Sequence, residues 1–176
     1  MFLANRKAIA GVLLMALLGF SAFALERTPG GIDFSLRSIN GQTVTSQSLR
    51  GEVVVLAFGA SWLPLSRTQL QGVKKLADDY SAKGVVVYWV STDSENPKSK
   101  NYASDDQLRA FAKKYGLNVT VLRDPDGAVS KKLGVDQLPA VVVLDKQGNS
   151  VDAPIQGLDP DGNLKGQLAK VLEKVL

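Results

Sequence analysis

The fold is decided by one segment, VVVLAFGASWLPLSR, which occupies residues 53–67. Its first part, Val53 to Phe58, is continuously apolar and lacks the alternation that a strand with one solvated face would show. Such a run is typical of a strand buried on both faces of a sheet. Apolar residues at helical spacing follow from Leu65 to Lys83 and stop at Gly84. The segment therefore predicts a central buried strand that leads into a helix.

Strands and helices continue to alternate toward the C-terminus. Two more continuous apolar runs, Val85–Val90 and Ala140–Leu144, predict buried strands, and a shorter run predicts a strand at Val119–Leu122. Ser104 is followed three residues later by Gln107, which is the pattern of a capping box and predicts the start of a helix. Buried strands that alternate with amphipathic helices indicate a sheet covered on both faces.

Shorter elements surround this alternation. Apolar–polar alternation from Ile32 and the pair Asn40-Gly41 predict an N-terminal β-hairpin. The stretch Asp124-Pro125-Asp126-Gly127 has the composition of a turn and precedes a short helix that reaches Leu133. Val151 onward is predicted to pair antiparallel with the preceding strand, which makes the sheet mixed.

A closing helix completes the order of elements. Asp159 is its predicted N-cap and Pro160 its first residue, where the missing N–H has no partner to lose. Its apolar face would consist of Leu164, Leu168, Val171, Leu172 and Val175. The whole order predicts an α/β protein that resembles the thioredoxin fold: a mixed central sheet with helices on both faces, an N-terminal β-hairpin and an inserted αβ unit.

The N-terminus has the layout of a secretory signal peptide. Arg6 and Lys7 precede the uncharged apolar run Ala8–Phe20, and Ala22-Phe23-Ala24 offers small residues for cleavage. An uncleaved anchor is the alternative, because the uncharged stretch from Ala8 to Leu25 reaches the minimum length that spans a bilayer. Either interpretation predicts an exported domain, periplasmic or extracellular, with membrane contact only through an uncleaved N-terminus. The predicted division is 1–24 signal peptide or anchor, 25–31 connector and 32–176 domain.

The amino-acid composition argues against several classes of function. The chain has 176 residues and contains neither cysteine nor histidine, so it lacks disulfides, the usual general base near neutral pH and the commonest metal ligands. Without Arg6 and Lys7, the remaining 19 basic residues nearly balance 17 acidic ones. The basic residues are scattered in pairs on helix surfaces, whereas nucleic-acid binding needs a concentrated patch. We therefore expect no nucleic-acid partner, no metal and no cofactor.

Several segments in a specific order resemble the TlpA/ResA-like branch of the thioredoxin superfamily, within the redoxin (AhpC/TSA) group that also contains peroxiredoxins. The resemblance covers nearly all of residues 32–176. It is carried by Asp33–Leu36 with Asn40-Gly41, Leu49–Val55, Phe58–Arg67, Phe111–Gly116, Asp124–Gly127, Leu133–Val135 and Leu138–Ala140.

In that family the central strand ends in Trp-Cys-x-x-Cys at the start of a helix, whose N-terminus stabilises a thiolate. Here the motif reads Trp62-Leu63-Pro64-Leu65-Ser66. The resemblance thus places Leu63 at the nucleophilic position and Ser66 at the resolving position, and neither side chain can form a disulfide. Ala57 stands where thioredoxin carries a buried acid. Ser66 has no base to activate it, so we expect it to form a backbone hydrogen bond at the helix start.

The resemblance also implies a second element, Leu138-Pro139, in which the proline is cis and the preceding backbone pairs with an extended peptide. Together with the degenerate motif, this predicts a binding groove formed by Trp62, Leu63, Pro64, Leu65, Ser66, Leu138 and Pro139. The alternatives for these positions are packing and a turn that the fold requires.

Three functions remain open from the sequence. The first is an exported, non-catalytic module that binds a protein or peptide partner through this groove. The second is a thiol–disulfide oxidoreductase or peroxiredoxin-type antioxidant enzyme, which the family similarity implies but the missing cysteines oppose. The third is a structural subunit of an assembly.

Overall fold

A computed structural model describes residues 30–157 and 164–176. It contains seven strands: β1 (Ser35–Ser38), β2 (Thr43–Thr45), β3 (Val53–Gly59), β4 (Val85–Ser91), β5 (Thr120–Arg123), β6 (Ala140–Leu144) and β7 (Ile155–Gln156). The helices are α1 (Pro64–Tyr80), α2 (Asp105–Lys114), α3 (Ala128–Lys132) and α4 (Leu164–Leu172), and two single 3₁₀ turns lie at Gln47–Leu49 and Ser81–Lys83.

All seven strands form one mixed sheet in the order β2-β1-β5-β4-β3-β6-β7. The three central strands β5, β4 and β3 are parallel, whereas β1 and β6 pair antiparallel with their neighbours. Strand β3 lies between β4 and β6, and all of its residues are buried. The predicted two-sided burial of Val53–Phe58 is therefore confirmed.

The sheet separates two hydrophobic cores because successive strand residues point to opposite faces. On one face, Val55 and Trp89 pack with Leu70 of α1, Leu108 of α2 and Leu168 of α4. On the other face, apolar residues of α3 and the N-terminal hairpin pack against strand residues, which include Leu56, Phe58, Val90 and Val142. Helices thus cover both faces, as the sequence predicted.

Local signals predicted most of the element boundaries. Ser104 Oγ accepts a hydrogen bond from the N–H of Gln107, and the Gln107 side chain accepts one from the N–H of Ser104, so the capping box is formed. Gly84 follows the helical segment with φ +75°, a left-handed conformation that glycine adopts without strain. The N-terminal hairpin forms as β1 and β2 with the predicted turn between them.

The segment from Val151 onward pairs antiparallel with β6, as predicted. Only Ile155 and Gln156 pair with β6 as a strand, although Val151 N–H also donates to Val143 C=O. Val141 and Val143 are two positions apart on β6, whereas their partners Ile155 and Val151 are four apart, so residues 152–154 interrupt the ladder.

Two predictions lie outside the described residues: the signal peptide or anchor in 1–24, and the cap formed by Asp159 and Pro160. Across residues 30–157 and 164–176, no helix has both the length and the apolar character needed to cross a bilayer.

Candidate functional site

The site lies at one end of the sheet, where the carboxyl ends of the parallel strands meet the start of β6. Gly59 of β3 is in register with Ser91 of β4, which is in register with Arg123 of β5. On the other side, Phe58 of β3 pairs with Ala140 of β6. The residues that follow β3 and those that precede β6 therefore emerge side by side, which brings the degenerate motif and the Leu138-Pro139 turn to the same edge.

The degenerate motif forms the first turn of α1. Leu63 is the N-cap, with φ −82° and ψ 119°, and Pro64 is the first helical residue. Trp62 and Leu65 retain 48% and 42% of their accessible surface, which makes them two of the four large apolar side chains exposed among the described residues. Leu63 is half-buried. These three residues place apolar surface at the start of α1.

Ser66 is completely buried. Its Oγ accepts a hydrogen bond of 3.0 Å from the N–H of Ala60, in the loop that leads into α1. The predicted backbone hydrogen bond of this serine is thus present in the structure. This hydrogen bond gives the buried hydroxyl a structural role at the start of α1.

Asp93 holds the loop before Trp62, and the sequence analysis did not single it out. Its carboxylate is 1% exposed. Oδ2 accepts hydrogen bonds from Ser61 N–H at 2.9 Å and Ser91 Oγ at 2.7 Å, while Oδ1 accepts one from Ser61 Oγ at 2.7 Å. Charge-assisted bonds of this length are among the stronger ones in proteins. Asp93 thereby fixes Ser61 and orients the residue that follows it, Trp62.

Gln69 connects the motif helix to the opposite side of the site, and it was also missed. Its side chain is buried, and Nε2 donates a 3.0 Å hydrogen bond to the C=O of Ala140. Ala140 directly follows Pro139, which is buried and whose peptide bond with Leu138 is cis. The helix that carries the degenerate motif is thus hydrogen-bonded to the start of β6.

Gly59 allows three polar side chains to approach the end of β3. A Cβ at this position would lie 2.9 Å from Ser66 Oγ, 3.0 Å from Trp89 Nε1 and 3.1 Å from Gln69 Oε1. Below this cluster, Ala57 is fully buried and pairs in register with Trp89. Ala57 therefore offers no ionisable group beneath the motif that could exchange a proton.

Leu138 presents an open backbone edge. It is half-buried, and neither its N–H nor its C=O has a hydrogen-bond partner among the residues that the structure describes. The neighbouring N–H groups of Asp136 and Gln137 both donate to Oε1 of Gln156, at 2.8 and 2.7 Å. Unpaired main-chain groups at the end of a sheet are a template for an added extended segment.

A charged cluster stabilises the other side of Asp93. Arg123 is buried, and its guanidinium donates to the C=O groups of Ala103 and Asp93 at 2.9 and 3.2 Å. Arg37 contacts Asp105 and Glu95 at 2.6 Å each. The hydrogen bond from Arg37 lowers the pKa of Asp105 below its ordinary value, and the two carboxylates raise the pKa of Arg37. This cluster anchors the 93–105 loop, whose first residue holds Ser61.

Within the described ranges, no group of three or more histidine, cysteine or acidic side chains lies close enough to hold a metal ion. The arrangement offers contact surface and main-chain hydrogen bonds, and Leu63 and Ser66 supply no thiolate.

Comparison with known proteins agrees with this geometry. Residues 30–152 match the model of the AhpC/TSA family. The chain is 31% identical over 154 residues to the thioredoxin-like protein YneN of Bacillus subtilis, which covers 81% of this chain and 86% of that one. It is 27% identical to the soluble secreted antigen MPT53 of Mycobacterium tuberculosis, with 90% of each chain covered. The structure of a thiol:disulfide interchange protein DsbE from Chlorobium tepidum superposes with a TM-score of 0.65 at 27% identity, covering 80% of this chain and 93% of that one. The predicted resemblance and the predicted thioredoxin-like fold are confirmed.

Proposed function

We propose, from the premise that this chain belongs to the AhpC/TSA family of thioredoxin-like proteins, that it is an exported binding module without redox activity. It would capture an extended segment of a partner protein or peptide between the Trp62–Leu65 surface and the Leu138 backbone. The observation that carries the proposal is the open main-chain edge of Leu138, which lies at the same end of the sheet as two exposed apolar side chains.

The chemistry at the motif supports binding over catalysis. Thiol–disulfide exchange and peroxide reduction by such a scaffold both need a thiolate, and the sequence contains no cysteine. The relatives with oxidoreductase names favour the competing enzyme function. That function requires chemistry for which Leu63 and Ser66 provide no atom.

Export is part of the proposal. It is supported by the charged, apolar and small-residue regions of the first 24 residues, and by the name of the secreted mycobacterial relative.

Photo-crosslinking in the producing cells tests the proposal. A benzophenone amino acid replaces Leu65 in one variant and Glu52 in a control variant, because Glu52 is exposed at the amino end of β3, opposite the site. We expect adducts from position 65 that map to one contiguous segment of a partner, and none of these from position 52. Identical adduct patterns at both positions, or none at position 65, would overturn the binding function. Insulin reduction or peroxide consumption above the buffer rate by the purified protein would instead establish an enzyme.

A further inference from the structure

A cavity of about 290 Å³ opens beside the Leu138 backbone. Its walls come from Thr92 at the end of β4, the turn Pro125–Gly127 after β5, and the segment Val135–Leu138. Thr92 donates hydrogen bonds to the C=O of Gly59 from both its N–H and its Oγ1, so the cavity adjoins the strand that leads into the degenerate motif. Pockets for whole small molecules begin at about 300 Å³. This cavity is at that limit and suits one long side chain.

Two carboxylates line the cavity, and neither forms an ion pair with another described residue. Asp126 Oδ1 accepts a hydrogen bond of 3.1 Å from Ala128 N–H, and the Asp136 carboxylate has no partner among the described residues. No lysine or arginine belongs to the lining. Three basic residues lie close in sequence, and none belongs to the lining. Arg123 donates to the C=O groups of Ala103 and Asp93, and Lys132 donates its ammonium proton to the C=O of Asp33. The stem of Lys131 passes beside Gly127 at the edge of the cavity. The cavity therefore favours a positive charge.

The open edge of Leu138 at the rim decides what kind of cation fits. A segment that pairs with this backbone places side chains alternately toward and away from the site. A basic residue at the right register would reach the cavity while its backbone stays paired. A metal ion is less suitable, because the described residues provide no group of three close ligands here.

Resting on the proposed peptide capture, we propose that this cavity is a subsite for a lysine or arginine side chain, and that the protein selects extended segments with a basic residue at one fixed position. Asp126 and Asp136 supply the charge complementarity, and Leu138 supplies the register. Pairs of this kind at a partly exposed rim strengthen binding by a modest factor and contribute mainly to selectivity.

Selection from a displayed library of random seven-residue peptides tests this subsite. The baits are the purified wild-type protein, the double variant Asp126→Asn/Asp136→Asn and the control Glu52→Gln. Asparagine at position 126 retains the oxygen that accepts from Ala128 N–H, so the turn is preserved. We expect the wild type and the control to enrich lysine or arginine at one position. The double variant is expected to lose that preference while it still enriches the apolar positions.

The outcomes separate the subsite from the proposed function. If the wild type enriches peptides without a basic position, or if the double variant keeps the preference, the subsite is wrong and peptide capture stands. If the wild type enriches no peptide, peptide capture fails and the subsite fails with it. For one enriched peptide, fluorescence anisotropy should show a Kd about two- to fivefold weaker for each aspartate neutralised. Replacement of the basic residue by norleucine should remove the difference between wild type and double variant.

Discussion

Replacement of Asp93 by alanine should strongly destabilise the fold at the site. The substitution removes one buried carboxylate and leaves three donors without an acceptor: Ser61 N–H, Ser61 Oγ–H and Ser91 Oγ–H. A buried donor that loses its partner costs about 1–3 kcal/mol, and such losses within one network are not additive. Removing a buried charge also relieves its desolvation, which offsets part of the loss. We expect the free energy of unfolding to fall by about 3–5 kcal/mol.

The substitution Asp93→Asn should reduce the free energy of unfolding much less than Asp93→Ala. Its carbonyl oxygen can occupy the Oδ2 site and keep the two bonds from Ser61 N–H and Ser91 Oγ, while its NH₂ group faces Ser61 Oγ, which can rotate and accept. What is lost is the charge assistance, roughly half the strength of each bond, so we expect about 1–2 kcal/mol. Glu52→Gln, at the opposite end of the sheet, should change stability by less than about 0.5 kcal/mol.

Urea unfolding followed by far-UV circular dichroism measures these differences, and acrylamide quenching of tryptophan fluorescence in the folded state reports on the loop. Because Trp89 is fully buried, quenching reports mainly on Trp62. Quenching should increase in Asp93→Ala as the Trp62 loop loosens. If Asp93→Ala is within 1 kcal/mol of the wild type, or is no worse than Asp93→Asn, the reasoning about the carboxylate network is refuted.

Two further predictions concern the motif and the charged cluster. The double variant Leu63→Cys/Ser66→Cys should form an intramolecular disulfide under mild oxidation and gain insulin-reducing activity, because the two positions lie three residues apart at the N-terminus of α1. The single variant Leu63→Cys is the control. Two thiols that stay free in the double variant under oxidant would contradict this prediction. Asp105→Asn should be less stable than the wild type by about 1 kcal/mol near pH 7. Since Arg37 lowers the folded-state pKa of Asp105, the ionised carboxylate stabilises the fold above its ordinary pKa of about 4. That contribution disappears as the pH falls through the lowered pKa of Asp105 in the folded state. The difference in thermal stability between the wild type and Asp105→Asn should therefore shrink in acid. A difference that does not change with pH would contradict this reasoning.

The fold could be predicted because its signals are local. The apolar run Val53–Phe58 specifies burial on both faces, and the Ser104–Gln107 box specifies a helix start, whatever the rest of the chain does. The antiparallel pairing after Val151 was predicted as well, whereas the interruption of that pairing at residues 152–154 depends on the register with β6.

The site was predictable only in part, for a physical reason. The positions of Leu63 and Ser66 follow from the order of elements along the chain. The role of Asp93 depends on the parallel register of β3 and β4, which brings Ser61 next to a residue 32 positions away. Gln69 contacts the C=O of Ala140 across 71 positions. No local pattern marks either residue, because each acts through a partner that only the tertiary structure brings close.

The two substitutions in the motif are better suited to binding than to a merely weakened redox site. At position 66 a hydroxyl accepts the Ala60 N–H at 3.0 Å, whereas sulfur is a weak acceptor and would hold the loop less firmly. At position 63 a half-buried leucine adjoins the exposed Trp62 and Leu65, and so extends an apolar surface where a thiolate would have required solvation. Ser66 ties the loop to the helix by this hydrogen bond, and Leu63 adds apolar surface at the start of α1. Both features support the proposed binding function, since an ordered loop loses less conformational entropy when a partner binds.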